Sequence, residues 1–213
     1  MPEPHAPTEL LVLQAVRLAG VADRDAILDR AFLAEEQVER VLATASATGR
    51  VEWFTFGDSS GWILTEVGSA YLATLLADDV SRHDATAVLE ATLVGFEPLN
   101  AHFVAAVTQW QLRSTAATTS GFGAADPDHA EQLLGSLTGL GAQLRDVLAE
   151  LTRALPRFGR YPAQYAAALA RAHQDGLGWV TGVGILSCHV VWAELHQDLL
   201  ASLGRSRLDA DQS

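Results

Sequence analysis

The segment HVVWAELH, His189–His196, has the residue types and spacing most suggestive of chemistry. His189, Trp192 and His196 stand at positions i, i+3 and i+7, which places them along one stripe of a helix. Imidazole groups serve as metal ligands, general bases and hydrogen-bonding partners. Two helical turns separate the histidines by about 10 Å, too far to share one ion, so we expect no metal site.

A second predicted helix, from Pro98 to about Arg113, also combines aromatic and polar side chains. If it faces the HVVWAELH segment, the two helices can form a small-molecule pocket, since such a site needs few polar groups in an apolar wall. The predicted ligand-binding residues are Asn100, His102, Trp110, Gln111, His189 and Trp192. We expect an apolar or aromatic ligand. In the alternative interpretation, the tryptophans are core residues and the polar groups hydrogen-bond between helices.

Whether the protein is an enzyme stays open at this point. His189 would be the first choice for a catalytic base and His102 the second, because imidazole titrates near neutral pH. Cys188 precedes His189, but adjacent helical residues point about 100° apart and a buried thiol is usually inert. No phosphate-binding loop occurs at a strand-to-helix junction, so we expect no cofactor.

The elements that would carry these residues are helices, and we predict an antiparallel helical bundle for residues 81–204. Leucines spaced by threes and fours indicate a long helix from Asp128 towards Leu155. The predicted bundle elements are helices over 84–96, 98–113, 128–155, 163–173 and 182–203, with a long loop over 114–128. Residues 205–213 form a predicted polar tail. Arg153, Arg157, Arg160 and Arg171 are expected to be solvated.

The first 80 residues have a different pattern, so the fold class is mainly α with a separate N-terminal domain over 1–80. Three helices are predicted from Thr8, from Asp23 or Asp25, and from Ala34. The segment VEWFTFGDSSGWIL then reads as two short strands around a turn, and Thr65 stands where a helix cap belongs.

This order of elements resembles the winged helix-turn-helix domains of MarR-like and PadR-like bacterial regulators. The most specific similarity is a GWxLTxxGxxxL pattern, formed by Gly61, Trp62, Leu64, Thr65, Gly68 and Leu72. The resemblance implies that the helix from Ala34 to Thr48 enters a major groove while Phe56 to Gly61 form the wing near the DNA backbone. Arg40 and Arg50 are the predicted DNA contacts.

The charge of this domain opposes DNA binding. All 14 basic residues of the chain are arginines, and its formal net charge is −12. Residues 1–80 contain five arginines and 13 acidic residues, whereas contacts to phosphates need a basic face. The third helix also carries Glu35, Glu36 and Glu39, and the turn of the hairpin carries Asp58.

Composition indicates a soluble cytoplasmic protein. The single cysteine rules out an intrachain disulfide framework, no signal-peptide pattern precedes Thr8, and no apolar run is predicted to span a membrane. We therefore expect a homodimeric transcriptional regulator whose C-terminal domain senses a small molecule and whose second partner is duplex DNA. The alternatives are a winged-helix scaffold reused for ligand binding or catalysis without DNA, and a module whose wing contacts another protein.

Overall fold

The computed structural model describes residues 8–57, 59–119 and 127–205, and the side chains of all of these except 113–119 and 127. The fold is mainly helical, with one antiparallel hairpin after three N-terminal helices, as the sequence predicts. The elements are α1 (Thr8–Ala19), α2 (Arg24–Ala31), α3 (Glu35–Ala47), β1 (Val51–Phe56), β2 (Ser59–Leu64), α4 (Glu66–Arg82), α5 (Thr86–Thr119), α6 (Pro127–Ala154), a 3₁₀ turn (Pro156–Gly159), α7 (Arg160–Asp175), α8 (Gly178–Thr181) and α9 (Cys188–Ser202).

The described residues group into two compact units. Unit 1 contains residues 8–87, 154–160 and 197–205, and unit 2 contains 88–119, 127–153 and 161–196. The sequence predicts one boundary after residue 80, which divides the chain into two consecutive domains. The contacts instead continue unit 1 to Ala87 and add two later segments to it. Of the predicted polar tail, all but Arg205 lies outside the described residues.

Unit 1 contains the predicted winged-helix arrangement. Of the two candidate starts for the second helix, Asp23 is the cap, since its carboxylate accepts a hydrogen bond from the backbone N–H of Ala26. The predicted Thr65 cap is also present, and its hydroxyl accepts a hydrogen bond from the backbone N–H of Gly68. Strands β1 and β2 pair from Val51 with Leu64 to Phe56 with Ser59. Apolar side chains from α1 to α4 and from β1 fill the core, among them Leu10, Leu13, Val16, Ile27, Val38, Leu42, Val51, Leu72 and Leu76.

Gly68 allows the first turn of α4 to lie directly against Arg50, which stands between the end of α3 and the start of β1. An added Cβ at this position would overlap the carbonyl oxygen of Arg50. The same carbonyl accepts hydrogen bonds from the backbone N–H and the hydroxyl of Thr65. A close approach of the backbone therefore requires Gly68, the second glycine of the GWxLTxxGxxxL pattern.

A buried network of charges lies within unit 1. The Arg157 guanidinium donates to Asp79 at 3.1 Å, to Asp198 at 2.6 Å and to the hydroxyl of Ser202 at 2.7 Å. Arg160 also donates to Asp198, at 3.2 Å. The expectation that Arg157 and Arg160 are solvated is therefore wrong, because two buried carboxylates compensate their charges.

Unit 2 begins with most of α5, which continues through Pro98 rather than breaking there. Pro98 is exposed, so water can satisfy the carbonyl of Val94 that a proline nitrogen cannot pair. Phe96, Leu99 and Phe103 are buried on both sides of the proline, and this burial favours a continuous helix. Residues 114–119 are helical rather than part of the predicted loop, and 120–126 lie outside the described residues.

Helix α9 starts later than the sequence suggests. The sequence predicts a helix over 182–203, but the structure has a short helix, α8, that ends at Thr181 and a longer one, α9, that begins only at Cys188. Ser187 explains the new start, since its hydroxyl donates to the carbonyl of Gly182 and accepts from the backbone N–H of Val190. Ser187 thus caps α9, a role that its sequence neighbours do not reveal.

Candidate functional site

The outer surface of α3 carries acidic charges that a neighbouring arginine compensates in part. Glu35, Glu36 and Glu39 are exposed on this helix. Arg24, from α2, forms ion pairs with both Glu35 and Glu39, the latter at 2.6 Å. Since the pairs are exposed, they add little to stability, but they reduce the acidity that α3 presents to a partner.

Arg40 supplies this surface with a positive charge that can contact a binding partner. Its side chain is exposed, and within the described residues it takes part in no ion pair. Gln37, Arg40 and Thr44 stand at i, i+3 and i+7, so they share one stripe of α3. The stripe therefore combines an amide, a guanidinium and a hydroxyl group.

Arg50 is held in place by two neighbours. Its Nη1 lies 2.6 Å from the Glu9 carboxylate, and its guanidinium carbon lies 3.6 Å from the centre of the Tyr71 ring. Tyr71 in turn donates its hydroxyl hydrogen to Glu9 at 3.0 Å. Burial, followed by the hydrogen bond and charge of Glu9, raises the pKa of Tyr71 above its ordinary value. The phenol accordingly stays a donor to Glu9 at neutral pH.

A surface cavity of about 340 Å³ brings the two predicted DNA contacts to the same place. Its lining consists of Thr8, Glu9, Gln37, Arg40, Val41, Thr44 and Arg50. The residues come from α1, from α3 and from the segment just before β1. Sequence reasoning missed Glu9 because α1 and α3 approach only in the folded unit. It also missed Gln37 and Thr44, although their spacing from Arg40 places all three on one face of the helix.

The hairpin presents aromatic rather than cationic groups. Phe56 is 77% exposed, Trp53 is 55% exposed, and Phe54 is also exposed. Trp53 packs edge-on against Trp62 across the strands, with ring centres 5.4 Å apart. Within β1 and β2 no arginine occurs, and Asp58 at the turn lies outside the described residues.

In unit 2, two of the predicted ligand-binding residues bind each other. The indole N–H of Trp192 donates to the amide oxygen of Asn100 at 3.1 Å. Trp192 is buried and lies parallel to Phe103, with ring centres 4.6 Å apart. Tyr165 completes this aromatic cluster and donates its hydroxyl hydrogen to the carbonyl of Leu137. The contact corresponds to the alternative of core aromatics with interhelical hydrogen bonds.

The other predicted ligand-binding residues are more peripheral. His102, Gln111 and His189 are exposed, although the His189 ring lies 6.3 Å from Phe103. Trp110 is partly buried, and its indole N–H finds no acceptor within the described part of the chain. Their assignment to a ligand, and that of Asn100 and Trp192, stays a prediction.

Groups that could support catalysis or metal binding are separated or inert. Burial raises the pKa of the Cys188 thiol to about 12, so it remains protonated at neutral pH. Nε2 of His196 lies 2.9 Å from Oε1 of Glu97, an ion-pair distance whose geometry does not form a hydrogen bond. No group of three or more potential metal ligands is found among the residues that the structure describes.

The comparisons add no relative. Neither a family model nor a curated protein nor a solved structure matches this chain. Within the described ranges, no helix has both the length and the apolarity needed to cross a bilayer.

Proposed function

We propose that this protein is a winged-helix transcriptional regulator that binds duplex DNA through α3 and the hairpin. The observation that carries the proposal is the stripe of half-buried Gln37 and exposed Arg40 and Thr44 on α3, the helix that inserts into the major groove in this arrangement. Arginine and glutamine are suited to contact base edges bidentately, and a threonine hydroxyl can contact bases or phosphates.

The charge distribution predicts a small electrostatic contribution to binding. Arg24 pairs with Glu35 and Glu39 and offsets one of their two negative charges, and Glu9 compensates Arg50, which leaves Arg40 as the cation available for a phosphate or a base. Each phosphate contact contributes about −0.9 to the slope of log K against log salt concentration. We therefore expect a slope near −1 to −2, with specificity contributed by base contacts.

The sequence also predicts a homodimer and a small-molecule ligand, and both belong to the proposed function. A homodimer would place two copies of α3 on two half-sites, and a small molecule bound in unit 2 would shift the population of the DNA-binding state. An apolar or aromatic ligand would have to pack beside the buried aromatic cluster around Trp192, where a hydrogen bond already pairs the indole N–H with the amide oxygen of Asn100.

The second candidate function is a winged-helix scaffold that contacts another protein instead of DNA. Exposed Trp53, Phe54 and Phe56 support it, because aromatic side chains are enriched at protein interfaces whereas a DNA-binding wing needs cations. In that case the acidic residues of α3 would not have to approach a negatively charged phosphate backbone.

Fluorescence anisotropy with a pool of labelled duplex fragments separates the two functions. We expect the wild-type protein to bind part of the pool at low ionic strength. Arg40→Ala should weaken binding and reduce the salt slope by about 1. Arg153→Ala is the matched control, since Arg153 is exposed and lies in unit 2. Absence of binding at low ionic strength would exclude the regulator and favour the second candidate.

A further inference from the structure

The cavity between α1 and α3 has the composition of an anion-binding site. Arg40 and Arg50 supply two positive charges to its lining, and Glu9 supplies one negative charge. Glu9 is already bonded through one oxygen to Arg50 and through the other to Tyr71. The lining therefore keeps one uncompensated positive charge, on Arg40.

Polar groups beside Arg40 can orient a ligand. The Gln37 side-chain oxygen accepts from the backbone N–H of Ala34 at 3.1 Å, which leaves the amide nitrogen as a donor. The Thr44 hydroxyl donates to the carbonyl of Arg40 at 3.0 Å, so its oxygen remains an acceptor. A bound molecule would thus meet a charged donor, a neutral donor and an acceptor along one stripe of α3.

Size and polarity restrict the ligand further. A volume of about 340 Å³ lies at the lower end of the range for small-molecule sites, about 300–1,000 Å³. Val41 is the one apolar residue of the lining, so a mainly apolar body would gain little from entering.

We propose that this cavity binds a small hydroxylated oxyanion, either a carboxylate or a phosphate ester, with Arg40 as its anion contact. Gln37 and Thr44 would hydrogen-bond the body of the ligand. Because the same guanidinium is the cation offered to DNA, a bound anion would weaken DNA binding by competition. This regulatory consequence depends on the proposed function, whereas anion binding itself does not.

Isothermal titration of the full chain tests the site without DNA. The probes are lactate, glycerol phosphate and inorganic phosphate, so that the carboxylate, the phosphate ester and the bare anion are compared. We expect lactate or glycerol phosphate to bind more tightly than inorganic phosphate. Arg40→Gln should weaken this binding by about 10- to 100-fold through loss of a charge-assisted hydrogen bond. Arg153→Gln should bind as the wild type does.

A second variant distinguishes binding inside the cavity from non-specific electrostatic attraction of an anion to Arg40. Thr44→Trp fills the cavity but keeps Arg40, and it should abolish binding. Retained binding in either Arg40→Gln or Thr44→Trp, or no binding of any probe by the wild type, would overturn the proposed site. DNA titrations with and without the bound probe then test competition. A protein that binds the probe but never binds DNA would exclude the regulator while supporting the anion site.

Discussion

The Arg157 guanidinium donates a 2.6 Å hydrogen bond to Asp198, and both side chains are almost completely buried. Nε of Arg157 binds Asp79 at the same time, at 3.1 Å. Removing one member of a buried ion pair leaves the other charge desolvated and uncompensated, which typically costs about 3–5 kcal/mol. The network therefore makes the stability of unit 1 depend on Arg157.

We expect Arg157→Ala to lower the free energy of unfolding by about 3–5 kcal/mol in chemical denaturation followed by circular dichroism. Arg153→Ala serves as the control, because Arg153 is exposed and lies 3.8 Å from an equally exposed Glu150. Its effect should stay within about 0.5 kcal/mol. Equal stability of the two variants would contradict a structural role for the buried pairs.

Gly68→Ala should destabilise the protein, because the new methyl group would overlap the backbone carbonyl of Arg50. Such overpacking costs about 1–3 kcal/mol or more when backbone must move. Gly135→Ala is the matched control within a helix, since nothing lies within 4 Å of its added Cβ. That change should stabilise the protein by about 0.5–1 kcal/mol. Thermal melts should therefore shift in opposite directions, and a shared direction would refute the packing argument.

Asn100→Ala should leave the buried indole N–H of Trp192 without its acceptor. Loss of a partner for a buried donor costs about 1–3 kcal/mol, which denaturant unfolding would detect. His102→Ala, two positions along the same helix and exposed, should change stability by less than about 0.5 kcal/mol. If Asn100 instead binds a ligand and does not stabilise the fold, the Asn100→Ala variant without ligand should be as stable as the wild type.

The buried Cys188 thiol predicts a pH dependence above neutrality. Its pKa is about 12 in the folded protein against an ordinary value of 9.0, because burial disfavours the thiolate. Above pH 9 the unfolded chain loses this proton while the folded chain retains it. The contribution of the thiol to stability is therefore complete below pH 9 and decreases as pH rises towards 12, by about 1.4 kcal/mol per pH unit.

Cys188→Ala should remove this contribution, so its stability should decline less steeply than that of the wild type between pH 9 and pH 10.5. Urea denaturation at several pH values gives both slopes. Alkylation provides an independent check, since the chain has one cysteine and labelling should require unfolding. Rapid labelling of the folded protein at pH 8 would show that the thiol is accessible.

Local signals accounted for most of unit 1. Asp23 and Thr65 were predictable as caps because their hydrogen bonds reach only three residues along the chain. The hairpin was predictable from strand-forming residues on both sides of a glycine-containing turn. Packing determined the features that local signals missed. Burial of Phe96 and Phe103 maintains α5 through Pro98, although proline alone predicts a break.

The candidate sites were harder to predict because their residues meet only in the folded chain. The sequence predicts Arg40 and Arg50 as DNA contacts, but the cavity that they share depends on the position of α1. Asn100 and Trp192 were expected on facing helices, but no sequence pattern indicates that they would satisfy each other. Arg157 and Arg160 resembled solvated cations because their carboxylate partners stand far away in the sequence.

The buried ion pairs also set the order in which a growing chain can fold. Arg157 follows Asp79 by 78 residues and precedes Asp198 by 41, so the three charges leave the ribosome at widely separated times. Most of unit 2 is synthesised before unit 1 has all its charged partners. A nascent or truncated chain that ends before Asp198 would contain the α3 surface without the network that stabilises its unit. Unit 1, which starts first in translation, is thus completed only after Asp198 has been made, so a stable α3 surface requires a chain that extends past Asp198.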